Sequence, residues 1–436
     1  MTLVASSGIL TDPVRLALIG AGQRGTQIYG AYALRHPDEV RFVAAADPDL
    51  GRLGTFGERH AISADRLYPS WQSLLDAGPD VDGIVVATQD QVHFEPTIQA
   101  VKQGLPVLLE KPVSNTLGEV VALSALGPMA DVTVAHGLRY SPLFDRIRAI
   151  LDSGDIGDLI GIDLIENIGY WHFAHSYVRG NWRRESSSSP MILSKSCHDL
   201  DILRWLAGAR PSSVHSVGGL HHFRPERALP GAPDRCLDGC PHSTTCAYFA
   251  PDLYLSVPEG HWPRSVVGPG SDDEVIEQLR VGPYGRCVYH ADNDAPDHQV
   301  VSIAFENGVV ATLTISAFTA RITRTITVMG SRGEMRGRLD SGEVEVNRFA
   351  GAGRTSDTVE HLSADGSHGI GDDRMIGSFV TRLAERRIGV VTGSPTSLPV
   401  SLDSHLMAFA AERSRRSGLP VDPRTLVVAG SGADPS

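Results

Sequence analysis

The 436 residues are too many for one hydrophobic core and suit two domains, or one domain with a large partner sheet. Hydrophobic residues make up 42% and charged residues 21%, an ordinary globular balance. The formal net charge of -12, with acids spread along the chain, argues against nucleic acid or an anionic membrane as a partner, because both reward clustered Lys and Arg.

The N-terminus, MTLVASSGILTDP, carries no basic region and no long apolar stretch, so it does not read as a signal peptide. No segment approaches the roughly 18 apolar residues of a membrane-spanning helix. The expectation is a soluble cytoplasmic protein, with residues 1–13 and 426–436 disordered. Val14 to Gly20 is an apolar run ending in glycine, the pattern of a buried parallel strand. A helix follows from Gly25 to about Arg35, then a second buried strand from Arg41 to Asp47. Val81 to Thr88 and Pro106 to Glu110 are two more strands, with a helix of about Phe94 to Gln103 between them. This alternation predicts βαβ units and a parallel sheet over 14–135.

From about Val134 the rhythm changes. Helical patterns appear at Pro142 to Ser153 and Cys197 to Ala207, and strand patterns at Leu159 to Ile168, Val300 to Phe305, Val309 to Ala317 and Thr325 to Met329. Asn307-Gly308 is a strong hairpin signal, so 136–425 is expected to be an α/β domain with a mainly antiparallel sheet. A last helix of about Leu402 to Arg416 stops at Gly418 with Pro420 beyond. The stretch 221–296, rich in Pro, Gly, His and Cys, reads as an insertion held by something other than a core.

Gly20-Ala21-Gly22-Gln23-Arg24-Gly25 is G-x-G-x-x-G directly after a strand and opening a helix. Its glycines permit the tight turn, close backbone approach to a pyrophosphate, and helix-on-strand packing. The helix N-terminus then offers free N–H groups to phosphate. Asp47, at the end of the second strand, stands where an acid bonds the adenosine ribose hydroxyls and repels a 2′-phosphate, which favours NAD over NADP. Arg24 is expected over the pyrophosphate.

Further along, Leu109-Glu110-Lys111-Pro112 ends a strand, and Ala87-Thr88 is followed by His93. Gly137-Leu138-Arg139-Tyr140-Ser141-Pro142, Gly154-Asp155-Ile156-Gly157, Asn181-Trp182-Arg183, His198 with Asp201, Phe305-Glu306-Asn307-Gly308 and Gly330-Ser331-Arg332-Gly333 continue in order. Together with the glycine turn this series resembles the glucose–fructose oxidoreductase / inositol dehydrogenase / MocA family over about residues 14 to 420, except the Cys-rich insertion. The resemblance implies a Rossmann domain, a second domain with an open sheet, and a homo-oligomer joined through that sheet. It also implies bound NAD or NADP and a sugar, cyclitol or related small molecule as substrate. It extends the cofactor contacts to Gln23, Thr88, His93, Glu110, Lys111 and Arg139.

Alcohol oxidation needs a base for the hydroxyl proton and a cation for developing alkoxide. By the resemblance Lys111 is the substrate-facing lysine and His198 the catalytic histidine, an apt proton acceptor at an ordinary pKa of about 6.5. Ser194 stands where the family has an aspartate four residues before that histidine. Lys195 adds a second cation, a further catalytic candidate. Tyr140, Tyr170, His172, Trp182, Arg183 and Asp199 are expected around the same cleft, with aromatic faces suited to a sugar ring.

Cys236-x3-Cys240-x5-Cys246, with Cys287 later, uses four of the five cysteines. In a cytosolic protein such clustering favours metal over disulfide, and a four-thiolate structural zinc is the expected occupant. His242 and His290 are alternative ligands. An iron–sulfur cluster, a redox pair and free thiols remain alternatives. For function, an NAD-dependent sugar oxidoreductase stands first. A glycosidase that oxidises its substrate transiently and re-reduces it stands second, and a non-catalytic dinucleotide sensor third.

Overall fold

The computed structural model describes residues 12–127, 130–268, 270–351, 353, 355–364 and 369–429. The expected disordered ends therefore fall outside the described residues over 1–11 and 430–436, while Thr425–Ala429 forms a short helix within the expected tail. Among the described residues no helix is long and apolar enough to cross a membrane.

The first sheet has six parallel strands: β1 (Val14–Ile19), β2 (Val40–Ala46), β3 (Leu67–Tyr68), β4 (Gly83–Val86), β5 (Val107–Leu109) and β6 (Val132–Val134). Their order, β3-β2-β1-β4-β5-β6, reverses direction beside β1, the doubly wound arrangement that opens a ligand crevice at the strands' carboxyl ends. β4, β5 and β6 are buried at every position, because helices cover both faces. The glycine turn feeds a helix that begins with a wide turn over Gly25–Gly30 and continues as Ala31–Arg35.

The second sheet has eight strands: β7 (Leu159–Asn167), β8 (Pro211–Gly219), β9 (His298–Phe305), β10 (Val310–Ser316), β11 (Thr323–Gly330), β12 (Gly333–Arg338), β13 (Glu343–Phe349) and β14 (Thr355–His361). Their order is β14-β13-β12-β11-β7-β10-β9-β8, antiparallel except for the β7–β10 pair. Alternating burial in β9 and β10 shows one face packed and the other open. The packed face meets the helices Met191–Ala207 and Leu398–Ser417, the latter capped by Gly418 at φ +72°. In Met191–Ala207 every residue except Arg204 and Trp205 is buried. A helix buried all round has no polar face, so its first two turns carry no amphipathic period in the sequence.

The chain also returns late to the first sheet. Helix Gly369–Arg387 lays Met375, Ile376, Phe379, Val380 and Leu383 into one core with Val14, Leu16, Leu18, Val40 and Phe42. The nucleotide-binding half is thus closed by residues more than 200 positions after it ends. Truncating Phe379, 1% exposed in that core, to Ala is expected to cost about 3–5 kcal/mol. Urea unfolding of Phe379→Ala checks this, and an unchanged midpoint would contradict the shared core.

Candidate functional site

The glycine turn is built by three different steric demands. Gly20 lies at φ +100°, and a Cβ there would stand 2.5 Å from the Ala87 carbonyl oxygen. A Cβ on Gly25 would meet the Gly20 carbonyl at 2.1 Å, which fixes close helix-on-strand packing. At Gly22, by contrast, a Cβ would find nothing within 4 Å, so the backbone there faces open space. That is the cradle a side chain would fill, and a pyrophosphate fits it. Gln23 is exposed on the same turn. Asp47 is buried after β2, and its carboxylate accepts from Ala21 N at 2.8 Å, Asp49 N at 2.8 Å and Arg52 Nη2 at 3.1 Å.

Arg24 does not sit free over a phosphate. Its guanidinium donates to Glu110 Oε1 at 2.5 Å and to Asp372 Oδ2 at 2.7 Å, so two carboxylates already hold its charge. Tyr29 OH also donates to Glu110 Oε1, at 2.7 Å. Burial works against the Glu110 carboxylate, but Arg24 and Lys111 outweigh it and keep it below the usual range. Glu110 therefore braces the turn against helix Gly369–Arg387. His93 is similarly internal: it is 1% exposed, with Nδ1 at 2.6 Å from Pro112 O and Nε2 at 3.2 Å from Thr88 O. It ties two loops together rather than offering a ring nitrogen to a cofactor. Thr88 is half-buried, with its hydroxyl toward Gln89 O.

Lys111 follows β5 at the sheet's carboxyl end, and its Nζ donates to Ser194 O at 2.7 Å. That carbonyl belongs to helix Met191–Ala207, which also carries His198, so Lys111 meets the helix of the predicted histidine. What registers this helix is Asp201. It accepts from Arg139 Nε and Nη2, both at 2.6 Å, and both side chains are buried. Arg139, expected at the cofactor, is thus a structural cation, with Pro395 O as its third partner. His136 stands 3.7 Å from Asp201 and edge-on to His198, with ring centroids 5.6 Å apart. His405 accepts from Val113 N at 3.0 Å through Nε2, which makes Nδ1 the donor toward Ser401 O. Neither His136 nor His405 is marked by its sequence neighbours; only the fold gathers them.

Ser194 turns its hydroxyl back onto its own helix, toward Pro190 O and Met191 O. Lys195 is no free cation: its Nζ lies 3.2 Å from Glu166 Oε1. Glu166 also faces Arg324 at 2.8 Å, and Arg324 donates to Asp199 at 2.5 Å. The four make a closed quartet of two acids and two cations, all buried. Burial lowers the Lys195 pKa despite Glu166, and burial raises that of Asp199 despite Arg324. Asp199, expected at the substrate, is fully covered and serves this quartet.

The remaining predicted substrate residues scatter more widely. Tyr140 packs against the core of the first sheet and helix Gly369–Arg387. Trp182 donates Nε1 to Asp90 at 3.1 Å, and Arg183 pairs with Asp292 at 2.9 Å. Tyr170 and His172 meet the insertion instead, at Tyr248 (6.0 Å) and Trp262 (4.9 Å) between ring centroids. The insertion therefore packs against helix Tyr170–Phe173. Asp90, which also accepts from Ser189 Oγ at 2.6 Å, carried no signal in the sequence.

Cys236, Cys240, Cys246 and Cys287 line one cavity, and all are free thiols. Among the described residues, however, no three His, Cys, Asp or Glu side chains are gathered so as to hold a metal ion. The expected zinc is corrected on that ground: a single ion needs its sulfurs about 2.3 Å away. His242 Nε2 is occupied by Pro230 O at 2.8 Å.

Residues 14–138 match the family described as "Oxidoreductase family, NAD-binding Rossmann fold", and residues 148–376 match "Oxidoreductase family, C-terminal alpha/beta domain". The Bacillus subtilis protein YteT is 25% identical over 340 residues, covering 72% of this chain and 76% of YteT. An inositol 2-dehydrogenase of Corynebacterium glutamicum is 26% identical over 222 residues, covering 47% of this chain and 57% of that protein. Among solved structures, an inositol dehydrogenase homolog complexed with NAD+ from Azotobacter vinelandii superposes with a TM-score of 0.67. It is 18% identical and covers 96% of this chain and 100% of its own, a likeness that establishes the fold.

Several buried histidines make the fold acid-sensitive. Burial lowers His136 and His175 to about 3 and His405 to about 4. Each is neutral in the folded chain and takes up a proton on unfolding below its ordinary value of about 6.5. Their stabilisation is complete above pH about 6.5 and is lost as pH falls toward the folded values, by up to about 1.4 kcal/mol per pH unit for each. Asp199 and Asp372, raised by burial, oppose this, but His60, His172 and His222 are lowered by burial too, so six histidines stand against two acids. The expected outcome is a melting temperature that declines steadily from pH 6.5 to 5, measured by differential scanning calorimetry. A flat profile would contradict neutral histidines.

Proposed function

The chain belongs to the Gfo/Idh/MocA oxidoreductase family, and on that footing we propose that it is an NAD-dependent oxidoreductase acting on a ring hydroxyl or carbonyl of a cyclitol or sugar. The observation that carries this reading is the meeting of Lys111 with the His198 helix at the carboxyl end of β5, beside the glycine turn. The relative named inositol 2-dehydrogenase supports a polyhydroxylated ring as substrate class.

Gly20, Gly22, Gly25 and Asp47 would hold the dinucleotide, and the acid at position 47 favours NAD by repelling a 2′-phosphate. Bound NAD supplies the hydride acceptor. His198 takes the hydroxyl proton, and Lys111, already half-desolvated against Ser194 O, stabilises negative charge developing on the substrate oxygen. Lys195 acts from one layer below, through Glu166 and Arg324, as a positioning residue. Tyr170, His172, Trp182 and Arg183 bound the space left for the ring.

A homo-oligomer joined through the open face of the second sheet belongs to the same proposal. Ile165, Thr314, Val300 and Val217 are paired in register across β7, β10, β9 and β8, and Ile165, Val300 and Val217 are 39%, 41% and 54% exposed. Such an apolar row on one sheet face suits a partner subunit.

The test is turnover of cyclitols, sugars and aryl glycosides with NAD, followed by reduced-nicotinamide absorbance and aglycone release together. Reduced cofactor stoichiometric with one polyol is expected. Lys111→Ala should lower kcat by about 10²–10⁴-fold with NAD affinity retained. Aglycone release with no accumulating reduced cofactor would replace this reading with the redox glycosidase. NAD binding with full activity in Lys111→Ala would remove Lys111 from the chemistry.

A further inference from the structure

The insertion has too little core to order itself. Its own cluster of buried apolar residues is six: Cys236, Ala250, Tyr254, Val267, Val275 and Leu279. Residues 228–249 contain no helix or strand, longer than the roughly 12–15 residues at which structureless loops become uncommon. Three of the four cavity cysteines lie in this stretch. The fourth is held against it by an isolated pairing of Arg235 with Arg286, with Cys236 N donating to Gly285 O at 3.0 Å and Cys287 N to Asp234 O at 2.8 Å. Small loop-rich modules of this kind need a covalent or metal staple, and these thiols form no disulfide.

A second observation comes from Arg179. Its side chain is 0% exposed, among the largest fully buried groups of the chain, and it lines the same cavity. Its named partners are all uncharged: Arg286 O at 2.7 Å, Tyr248 O at 2.7 Å and Cys236 Sγ at 3.6 Å. Its Nη1 has no hydrogen-bond partner. Among the described residues no ion pair includes Arg179, so a buried guanidinium faces four thiols without a carboxylate. A buried unpaired charge costs several kcal/mol, and anionic sulfur around the cavity is what would compensate it.

The third observation is ligand spacing. Among the described residues no three His, Cys, Asp or Glu side chains are gathered as closely as one ion needs. A polynuclear centre holds its four cysteines further apart.

We propose that Cys236, Cys240, Cys246 and Cys287 ligate an iron–sulfur cluster of the four-iron, four-sulfide type, with Arg179 as its buried counter-cation. Two ferrous ions, two ferric ions and four sulfides make up the core, the four thiols release their protons to solvent as iron binds, the sulfurs become the terminal ligands, and no electron passes to or from the protein. Arg179 donates to the Cys236 sulfur and offsets part of the net negative charge of the thiolate-bound cluster. The cluster staples residues 228–249, and through Tyr248, which lines the cavity and packs on Tyr170, it sets the wall of the substrate cleft.

The test is metal and acid-labile sulfide analysis of the full chain purified anaerobically, with its visible spectrum. About four iron and four sulfide per chain, with a broad visible band, are expected. Cys240→Ser should lose at least half of that iron, while Cys197→Ser, whose thiol is outside the cavity, keeps it. One zinc per chain without sulfide would overturn the proposal. So would a chain that stays colourless after anaerobic reconstitution with equal amounts of ferrous and ferric iron and with sulfide. Both overturning results come from the unsubstituted protein, so a Cys240→Ser chain that fails to fold does not affect them.

Discussion

The ion pair between Arg139 and Asp201 holds the two halves of this protein in register. Arg139 lies on the turn after β6 and Asp201 on helix Met191–Ala207, and their two 2.6 Å contacts are sealed from solvent. Burying such a pair is not in itself strongly stabilising, because desolvation offsets the attraction. Removing one partner is different, since it strands the other charge. The pair therefore acts as a registry device. Asp201 follows His198 by about one helical turn, so fixing Asp201 also fixes the helix whose Ser194 carbonyl meets Lys111.

Around that clamp the buried charges fall into closed groups. Arg24 is balanced by Glu110 and Asp372, which ties the glycine turn to a helix 348 residues later. Lys195, Glu166, Arg324 and Asp199 balance one another beneath the site. Lys111 differs, because its ammonium group rests on a backbone carbonyl. Arg179 is the other exception, and the thiols beside it supply the chemistry that would answer its charge.

The nucleotide-binding half was legible in the sequence because its strands are continuous apolar runs and its turn is dictated by glycine sterics at Gly20 and Gly25. What hid from the sequence was long-range: helix Gly369–Arg387 closing the first sheet, His136 and His405 converging behind the site, and Glu166 reaching Lys195 from a strand. The buried start of helix Met191–Ala207 hid for a local reason, since burial on all sides erases periodicity. Several charged residues placed at the ligand from the sequence, Arg24, Arg139, Lys195 and Asp199, instead pair with opposite charges inside the fold. A motif fixes where a charge lies in the chain, and only the fold decides which charge it faces. The cysteines show the converse: their clustering was visible, but the choice between one ion and a cluster depends on how closely the fold gathers their sulfurs.

The most direct test of this account is a double-mutant cycle on Arg139→Met and Asp201→Leu, read as unfolding free energy. If the pair is the registry device, each single substitution costs about 3–5 kcal/mol, and the double costs far less than their sum. Costs that simply add would show the two charges to be independent, and the clamp would no longer explain how Lys111 meets the helix that carries His198.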